Sequence, residues 1–504
     1  MKSIWVSKEN DHIVLSEKRY TRRMIRLVDD LSRRPHSSIP EACTSSAGTK
    51  AAYRFLKSEK VKVEDIQQAV VNATIERIEE ESQKKEEVVI LIPHDTSELN
   101  FSGLHQTEGL GPISNANCNG IIVHTAMALT SEGKPLGILY QEFWERDSNK
   151  KKQNDKRKRN IPTEQKESYK WIKTIKKLDE IIPEDVKIIS ISDRESDLYD
   201  YFAAARKENH HVLFRISHDR FLARKDSNDQ PDSNDQPDSN DQPDGNDQPD
   251  SNDQPDSNDQ PDSNDQPDGN NQGTRLFEVL RQIEKYQAIT IKVSRSKSLE
   301  TKELQIKVSF QVVDVLPPKH LKSKYKDQSA VRMTAIYASN EKTGLEWFLL
   351  SSIIVSDLDE AVQLVRYYEK RWLIERYHFI LKSGCQVEEL QLSESRRLEK
   401  AIALYSIVAW RIMYMTYILR LEPLRSSSEL LSENEWKALY IFSYRKKPKR
   451  PPLIYEAVVL IAKLGGFQAR KSDGFPGAKV IWRGMKRLSD ITKAYEIYLL
   501  MGNG

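Results

Sequence analysis

Residues 227–268 are seven tandem copies of a hexapeptide, Ser/Gly-Asn-Asp-Gln-Pro-Asp, followed by a decayed copy from Gly269 to Thr274. The tract has no apolar side chain other than proline, its charge is uniformly negative, and Asn, Asp and Pro favour turns over regular structure. It cannot enter a core. The expectation is a disordered surface loop over 226–274 that interrupts the fold around it. A calcium site does not suit it, because the glycine and glutamate placements of a calcium loop are missing.

The tract also masks the charge of the rest. The chain carries a formal net charge of only +3, but the seven copies hold 14 of its 75 acidic residues and no base. The other 462 residues therefore set 78 Lys and Arg against 61 Asp and Glu, an excess of about 17. An excess of that size favours a polyanion as partner, since each neutralised phosphate releases condensed counterions. At 504 residues the chain exceeds one ordinary core and calls for two or three units. Its three cysteines, Cys43, Cys118 and Cys385, are far apart and lack metal-ligand spacing, which fits a reducing compartment. The segment Met-Lys-Ser-Ile-Trp at the start lacks the apolar run of a secretory signal, so a cytoplasmic location is expected. Ala401 to Leu419 is apolar apart from Ser406, Arg411 and Thr416. A charge at the centre of a span costs about 2.5–3.5 kcal/mol, so a buried or dimer-forming helix is the better reading.

Hydrophobic periodicity divides the chain. The first eighty residues read as helices: one from Ser16 through Val28, then Ala51 to Leu56 and Val63 to Glu81. Val88-Val-Ile-Leu-Ile is a continuous apolar run of the kind that fills a central strand, with Pro93 expected to end it before Asp95. Ile121 to Leu129 and Leu136 to Phe143 read as a hairpin, Thr163 to Glu180 as a helix, Val186 to Ile191 as a strand delivering Asp193, Ser196 to Lys207 as a helix, and His211 to Ile216 as a strand. That order matches a ribonuclease-H-like α/β core. Further strands at 287–293, 304–312, 331–337 and 345–353 are read as a β subdomain inserted over 217–355. The expected division is a helical amino-terminal domain (1–82), an interrupted α/β catalytic core (83–392) and a helical carboxy-terminal domain (393–504).

The sharpest local signal runs from Tyr368 to Lys382. On a helix, Tyr368, Arg371, Glu375, His378 and Lys382 follow spacings of 3, 4, 3 and 4 and share one stripe, while Leu373, Tyr377, Ile380 and Leu381 fall opposite. One account is a solvated face with an Arg371–Glu375 pair worth a few tenths of a kcal/mol. The other is a carboxylate presented among cations and a phenol. Asp95 and Asp193 both follow apolar strands, where open α/β sheets place reactive groups, although turn-forming Asp is ordinary there too. Three carboxylates together have a chemical logic: hard cations take oxygen ligands, and paired magnesium ions can stabilise both the attacking and the leaving oxygen of a phosphodiester.

The Tyr-x2-Arg-x3-Glu-x6-Lys pattern, with Trp372 and His378 inside it, resembles the signature of the DDE transposases of the bacterial insertion-sequence-four class, Tn-five type. The likeness extends to Ala52-Tyr-Arg-Phe-Leu, His94-Asp-Thr-Ser, Asp193-Arg-Glu-Ser-Asp, Phe214-Arg215, Glu346-Trp347 and Ile461-Ala-Lys-Leu-Gly-Gly-Phe467. The resemblance implies Asp95, Asp193 and Glu375 as catalytic, metal-binding carboxylates for Mg²⁺, with Mn²⁺ as substitute. It implies Tyr368, Arg371, Lys382 and Arg215 as DNA contacts, Trp347 as the aromatic that stacks on a flipped base, and Arg22, Arg23 and Arg26 as the helix that grips a transposon end. A core tryptophan and a plain solvated helix face are the competing accounts of the last two.

Phe379 and Ser217 stand where such proteins often carry basic residues. The basic runs Lys150–Arg159 and Arg445–Arg450 read as loops able to touch backbone phosphate, or as solvated surface. The function expected is cut-and-paste DNA transposition by a homodimer acting on inverted-repeat ends and target DNA; a decayed copy that binds ends without cutting is the alternative.

Overall fold

The computed structural model describes residues 11–84, 87–115, 117–147, 162–223, 274–294, 301–318, 325 and 328–501. The hexapeptide copies and the basic run at 150–159, with the expectations attached to them, lie outside the described residues.

The described residues open with the helices α1 (Lys18–Arg33), α2 (Ile39–Cys43), α3 (Ser46–Lys57) and α4 (Val63–Ser82). In α1 the apolar Met24, Leu27, Val28 and Leu31 recur at helical spacing and are buried, leaving Arg22 and Arg26 exposed and Arg23 half-buried. Then come β1 (Val89–Asn100), β2 (Gly111–Pro112), β3 (Asn119–Thr130), β4 (Pro135–Trp144), α5 (Tyr169–Ile181), β5 (Lys187–Ser192), α6 (Tyr199–Phe202) and β6 (His210–Arg215). They are followed by α7 (Leu276–Arg281), β7 (Gln287–Ser294), β8 (Thr301–Val315), β9 (Val331–Asn340) and β10 (Leu345–Ser351). Helix α8 (Leu358–Tyr368) passes through a 3-10 turn at Glu369–Arg371 into α9 (Trp372–Phe379), which ends in a π-turn at Ile380–Gly384. The last helices are α10 (Ser395–Leu421), α11 (Glu433–Tyr444), α12 (Ile454–Leu464) and α13 (Ala478–Met501).

The result is a mixed α/β fold on one ten-stranded sheet, in the order β2-β3-β1-β5-β6-β10-β9-β8-β7, with β4 paired to β3. β1, β5 and β6 run parallel, and their neighbours are antiparallel. The strands of 287–351 do not form a sheet of their own, because β10 pairs with β6 through Leu349↔Arg215 and carries the central sheet onward. Alternate side chains feed opposite cores: Leu91, Leu213 and Leu349 join the core under the helices, whereas Ile90, Ile92, Val212, Phe214, Phe348 and Leu350 join the cores on the other face.

Two boundaries differ from the sequence reading. β1 continues through Pro93, placing Asp95 within the strand, opposite Thr125. The ladder to β3 is interrupted where the proline lacks an N–H: pairing passes from Leu91↔Leu129 directly to His94↔Ala126, and β3 is irregular against β4 at the same level. The helix expected over 196–207 shrinks to the single turn α6, with a 3-10 turn at Arg194–Ser196 before it. Here short polar side chains bond to loops and to the backbone instead of lying along a helix: Ser196 Oγ donates to the Asp193 carbonyl, and Asp197 accepts from the 217–220 loop.

Helix α10 is long and apolar enough to cross a membrane, but most of it is buried inside the fold. Arg411 explains the charge at its centre. Its guanidinium donates to the carbonyls of Ser32 (3.3 Å) and Leu430 (2.8 Å), satisfying backbone groups from α1 and from the segment before α11. Lys400 donates to the Ser58 carbonyl and Tyr405 to that of Ser37, so the amino-terminal helices share a core with α10. Gly465, the first of the Gly-Gly pair after α12, and Gly484 of α13 also have a packing reason. A Cβ on Gly465 would lie 1.9 Å from the Val480 carbonyl oxygen, and one on Gly484 would lie 1.8 Å from that of Ile461.

Candidate functional site

Sheet register brings the two aspartates together. Pro93 pairs with Ile191 across the parallel β1–β5 contact, so Asp95 and Asp193 each stand two residues beyond a matched pair and on the same face. Asp95 Oδ1 accepts the Thr96 N–H at 2.8 Å. Asp193 caps the turn that follows β5, with Oδ1 accepting the Glu195 N–H at 2.9 Å. Glu375 rises from α9, which packs against β1, and completes a group of three carboxylates from three elements.

Electrostatics ties these groups to one another. Burial pushes the Asp95 carboxyl up to about 7, and the neighbouring Asp193 and Glu375 act in the same direction against Arg371. Arg371 is ion-paired to Glu375 one helical turn away. Burial works against its charge, but Tyr368, Glu375 and Asp95 more than offset it and leave its pKa raised. Tyr368 is itself pushed up by burial, with Arg371 and Arg215 acting downward and Asp193 upward. Among the described residues, no group of three or more His, Cys, Asp or Glu side chains converges closely enough to hold a metal ion as it stands. The donor set nonetheless suits a hard cation: carboxylate oxygens only, crowded enough that burial and the neighbouring Asp193 raise the Asp95 pKa, a shift that positive charge would relieve.

The exposed stripe expected along the signature helix is only partly present. Arg371 is half-buried and Glu375 is exposed, whereas Tyr368 and His378 are 6 % and 5 % exposed and belong to the interior. The 3-10 turn before α9 and the π-turn after it change the angular advance for Tyr368 and Lys382, while His378, inside the regular helix with Glu375, is covered where α9 packs on β1 and β3. Tyr368 packs edge-on to Trp347, with ring centroids 5.5 Å apart. Trp347 is half-buried on β10 beside the main core, one residue from Glu346, whose carbonyl accepts from Arg215 at 3.2 Å. Lys382 donates to the Glu98 carbonyl at 2.7 Å and lies 3.5 Å from Glu388. In this state it fastens the α9 end to β1. Phe379 packs against Trp482 of α13 at 5.8 Å. Arg22, Arg23 and Arg26 lie on α1, and none of them is among the charges that shift Asp95.

Asp197 closes the Asp193-Arg-Glu-Ser-Asp motif, where sequence alone assigns it no role. It is 3 % exposed and accepts from the Ser217 and His218 N–H groups (2.8 and 2.9 Å), from His218 Nδ1 and from Arg220. Burial alone would raise its pKa, but the His218 hydrogen bond and the Arg220 charge hold it down at about 2. It thereby fixes the loop that follows Arg215. A second acidic residue four positions after Asp193, before a buried basic loop, was the available signal.

Comparison with known proteins places function at both ends of the chain. A family model described as transposase DNA-binding matches residues 2–61, and one described as the transposase Tn5 dimerisation domain matches 407–496. A cryo-EM structure of the piggyBac transposase synaptic complex with hairpin DNA is similar over 95 % of this chain and 72 % of that chain, at 11 % identity and a TM-score of 0.34. The first match takes in α1 and α3 with their arginines, and the second the carboxy-terminal half of α10 through most of α13. The chain thus carries a transposase DNA-binding domain at one end and a Tn5-type dimerisation domain at the other, which give it DNA and a second copy of itself as partners.

Proposed function

We propose that this transposase performs cut-and-paste transposition on inverted-repeat ends, with Asp95, Asp193 and Glu375 as the catalytic carboxylates. The observation that carries the reading is that Asp95 and Asp193 each stand two residues beyond the matched pair Pro93–Ile191 of adjacent parallel segments, with Glu375 and Arg371 in electrostatic contact with Asp95. The arrangement of β1, β5 and β6 with the β3–β4 hairpin is that of a ribonuclease-H-like core, interrupted over 217–355 and flanked by helical domains at 1–82 and 393–504.

Bound Mg²⁺, or Mn²⁺ in its place, would supply an activated hydroxyl and stabilise the leaving oxygen. Asp95, Asp193 and Glu375 would hold it, which requires Asp95 to give up its proton and Glu375 to loosen its pair with Arg371. Arg371, Arg215 and Lys382 would then face the scissile phosphate and its strand, Lys382 after leaving Glu98. Tyr368 would act from the interior, supporting Trp347, whose ring would stack on a base turned out of the duplex while the transposon end closes as a hairpin. Arg22, Arg23 and Arg26 would grip end phosphates, and the freed 3′-hydroxyl would attack target DNA in the bacterial cytoplasm. Asp193→Ala should retain binding to end DNA in a gel shift and lose nicking on a denaturing gel; normal nicking by this variant would sink the assignment.

The Arg371–Glu375 pair favours one second reading, a copy that binds ends and dimerises without cutting. Incubation of wild-type protein with end-containing DNA and Mg²⁺ or Mn²⁺ separates the two, because only the first reading yields cut strands.

A further inference from the structure

Behind the two aspartates lies a continuous chain of buried polar groups. The Thr96 hydroxyl meets His124 Nδ1 at 2.9 Å, and His124 Nε2 meets His94 Nδ1 at 3.4 Å. His94 Nε2 meets the Tyr201 hydroxyl at 3.3 Å. Ser192 Oγ donates to that hydroxyl at 3.3 Å and lies 2.6 Å from Ser196 Oγ, which donates to the Asp193 carbonyl at 2.8 Å. One end of the chain is the residue whose N–H binds the Asp95 carboxylate, and the other is the backbone of Asp193.

The five central side chains, His94, His124, Ser192, Ser196 and Tyr201, are all 0 % exposed. The Trp171 ring closes over both imidazoles, with centroids 5.0 and 4.8 Å away. Each imidazole meets a partner at both ring nitrogens, and an imidazole with one N–H and one bare nitrogen can pass a hydrogen bond onward. Apolar side chains would fill the same volume without needing partners, and a buried polar network is tolerated only when its members are satisfied. What the polar chain adds is a bonded link between two segments that the sheet joins only as far as Pro93 and Ile191.

We infer that His94, His124, Tyr201, Ser192 and Ser196 are positioning residues that set the separation of Asp95 and Asp193 for cation binding. The inference rests on the proposed reading of those aspartates as metal-holding. Side chains that orient metal ligands characteristically change metal affinity about 10–100-fold when removed.

The test is Mn²⁺ titration of the full-length protein, read by electron paramagnetic resonance of free Mn²⁺, alongside urea denaturation. Tyr201→Phe and His94→Phe strand buried partners and should lower the denaturation midpoint while leaving the protein folded in buffer, and should weaken Mn²⁺ binding of that folded protein about tenfold. Thr96→Val interrupts the chain at its half-buried end, where folding is least at risk, and should weaken Mn²⁺ similarly, with Thr96→Ser restoring it. Mn²⁺ affinity within twofold of wild type in Tyr201→Phe and Thr96→Val overturns the inference. So does a loss matched by an equal loss of folded protein. Asp193→Ala separates the two claims. If it loses Mn²⁺ while the chain variants do not, the positioning role alone fails; if it binds Mn²⁺ like wild type, the metal reading fails and takes the inference with it.

Discussion

Arg371 and Glu375 are ion-paired across one turn of the signature helix, so that the guanidinium facing Asp95 is also the group that holds the exposed carboxylate. With Glu375 half in solvent, such a pair contributes about 0.3–0.5 kcal/mol. Arg371→Gln should therefore shift urea stability by no more than about that amount. If the guanidinium holds the scissile phosphate, the same change should lower nicking at least about tenfold, because a charge-assisted contact to phosphate is far stronger than the exposed pair it replaces. Unchanged nicking would confine Arg371 to the ion pair.

The raised Asp95 pKa makes a prediction for metal-free protein. Unfolded Asp titrates near 3.8 and folded Asp95 near 7, so between those values the folded state binds the extra proton. Stability contributed by this group is thus fully present below about pH 4 and declines as pH rises toward 7. Asp95→Asn should remove that part of the slope and raise the melting temperature at pH 8, by a free energy on the order of 1 kcal/mol or more. Added Mg²⁺ should stabilise wild type at pH 8 and Asp95→Asn much less. A Mg²⁺ effect of equal size in both would place the cation elsewhere.

Trp347 stands edge-on to the buried Tyr368 and is only half-covered, a geometry that serves a core ring and a stacking platform equally well. Kinetics distinguishes them. As a platform, Trp347→Ala should slow hairpin formation more than first-strand nicking, by about one to three kcal/mol of lost stacking in the hairpin step alone. Equal slowing of both steps would assign it to the core. Tyr368→Phe leaves the edge contact in place and should affect both steps less than Trp347→Ala.

The parts of the molecule that sequence conveyed are those with a strong period. The apolar run at 88–92 and the hairpin at 121–143 fall close to β1, β3 and β4, and the buried helix at 401–419 lies within α10. What was hidden depends on contacts distant in sequence. Nothing local indicates that Pro93 can sit inside a central strand, since the gap that tolerates it lies on β3. His378 fits the exposed stripe on paper yet is buried, because within the same regular helix as the exposed Glu375 it lies on the side that packs against β1 and β3. The polar chain linking Thr96 to Asp193 draws on residues from 94 to 201, each unremarkable alone. Asp95, Asp193 and Glu375 could be singled out as residue types after strands and on a helix face, but the register that sets the first two each two residues beyond one matched pair is a property of the sheet.

Asp197 offers the clearest stability test, because its role depends on no reading of the chemistry. It is buried with Arg220, itself 9 % exposed, and its carboxylate gathers two N–H groups, an imidazole and the guanidinium. Its folded pKa of about 2 lies below the ordinary 3.8, so the stability it contributes is present above pH 4 and is lost as pH falls toward 2. Asp197→Asn leaves the buried arginine without its counter-charge, and breaking such a pair costs about 3–5 kcal/mol. The variant should unfold at lower urea at pH 7 and lose less stability than wild type on acidification from pH 4 to 2. Because the anchored loop follows Arg215 directly, the variant should also bind DNA more weakly than its folded fraction accounts for. Wild-type urea stability in Asp197→Asn would mean that the 217–220 loop is held by Arg220's packing on Phe202, where the guanidinium lies 5.1 Å from the ring centroid, and not by the carboxylate.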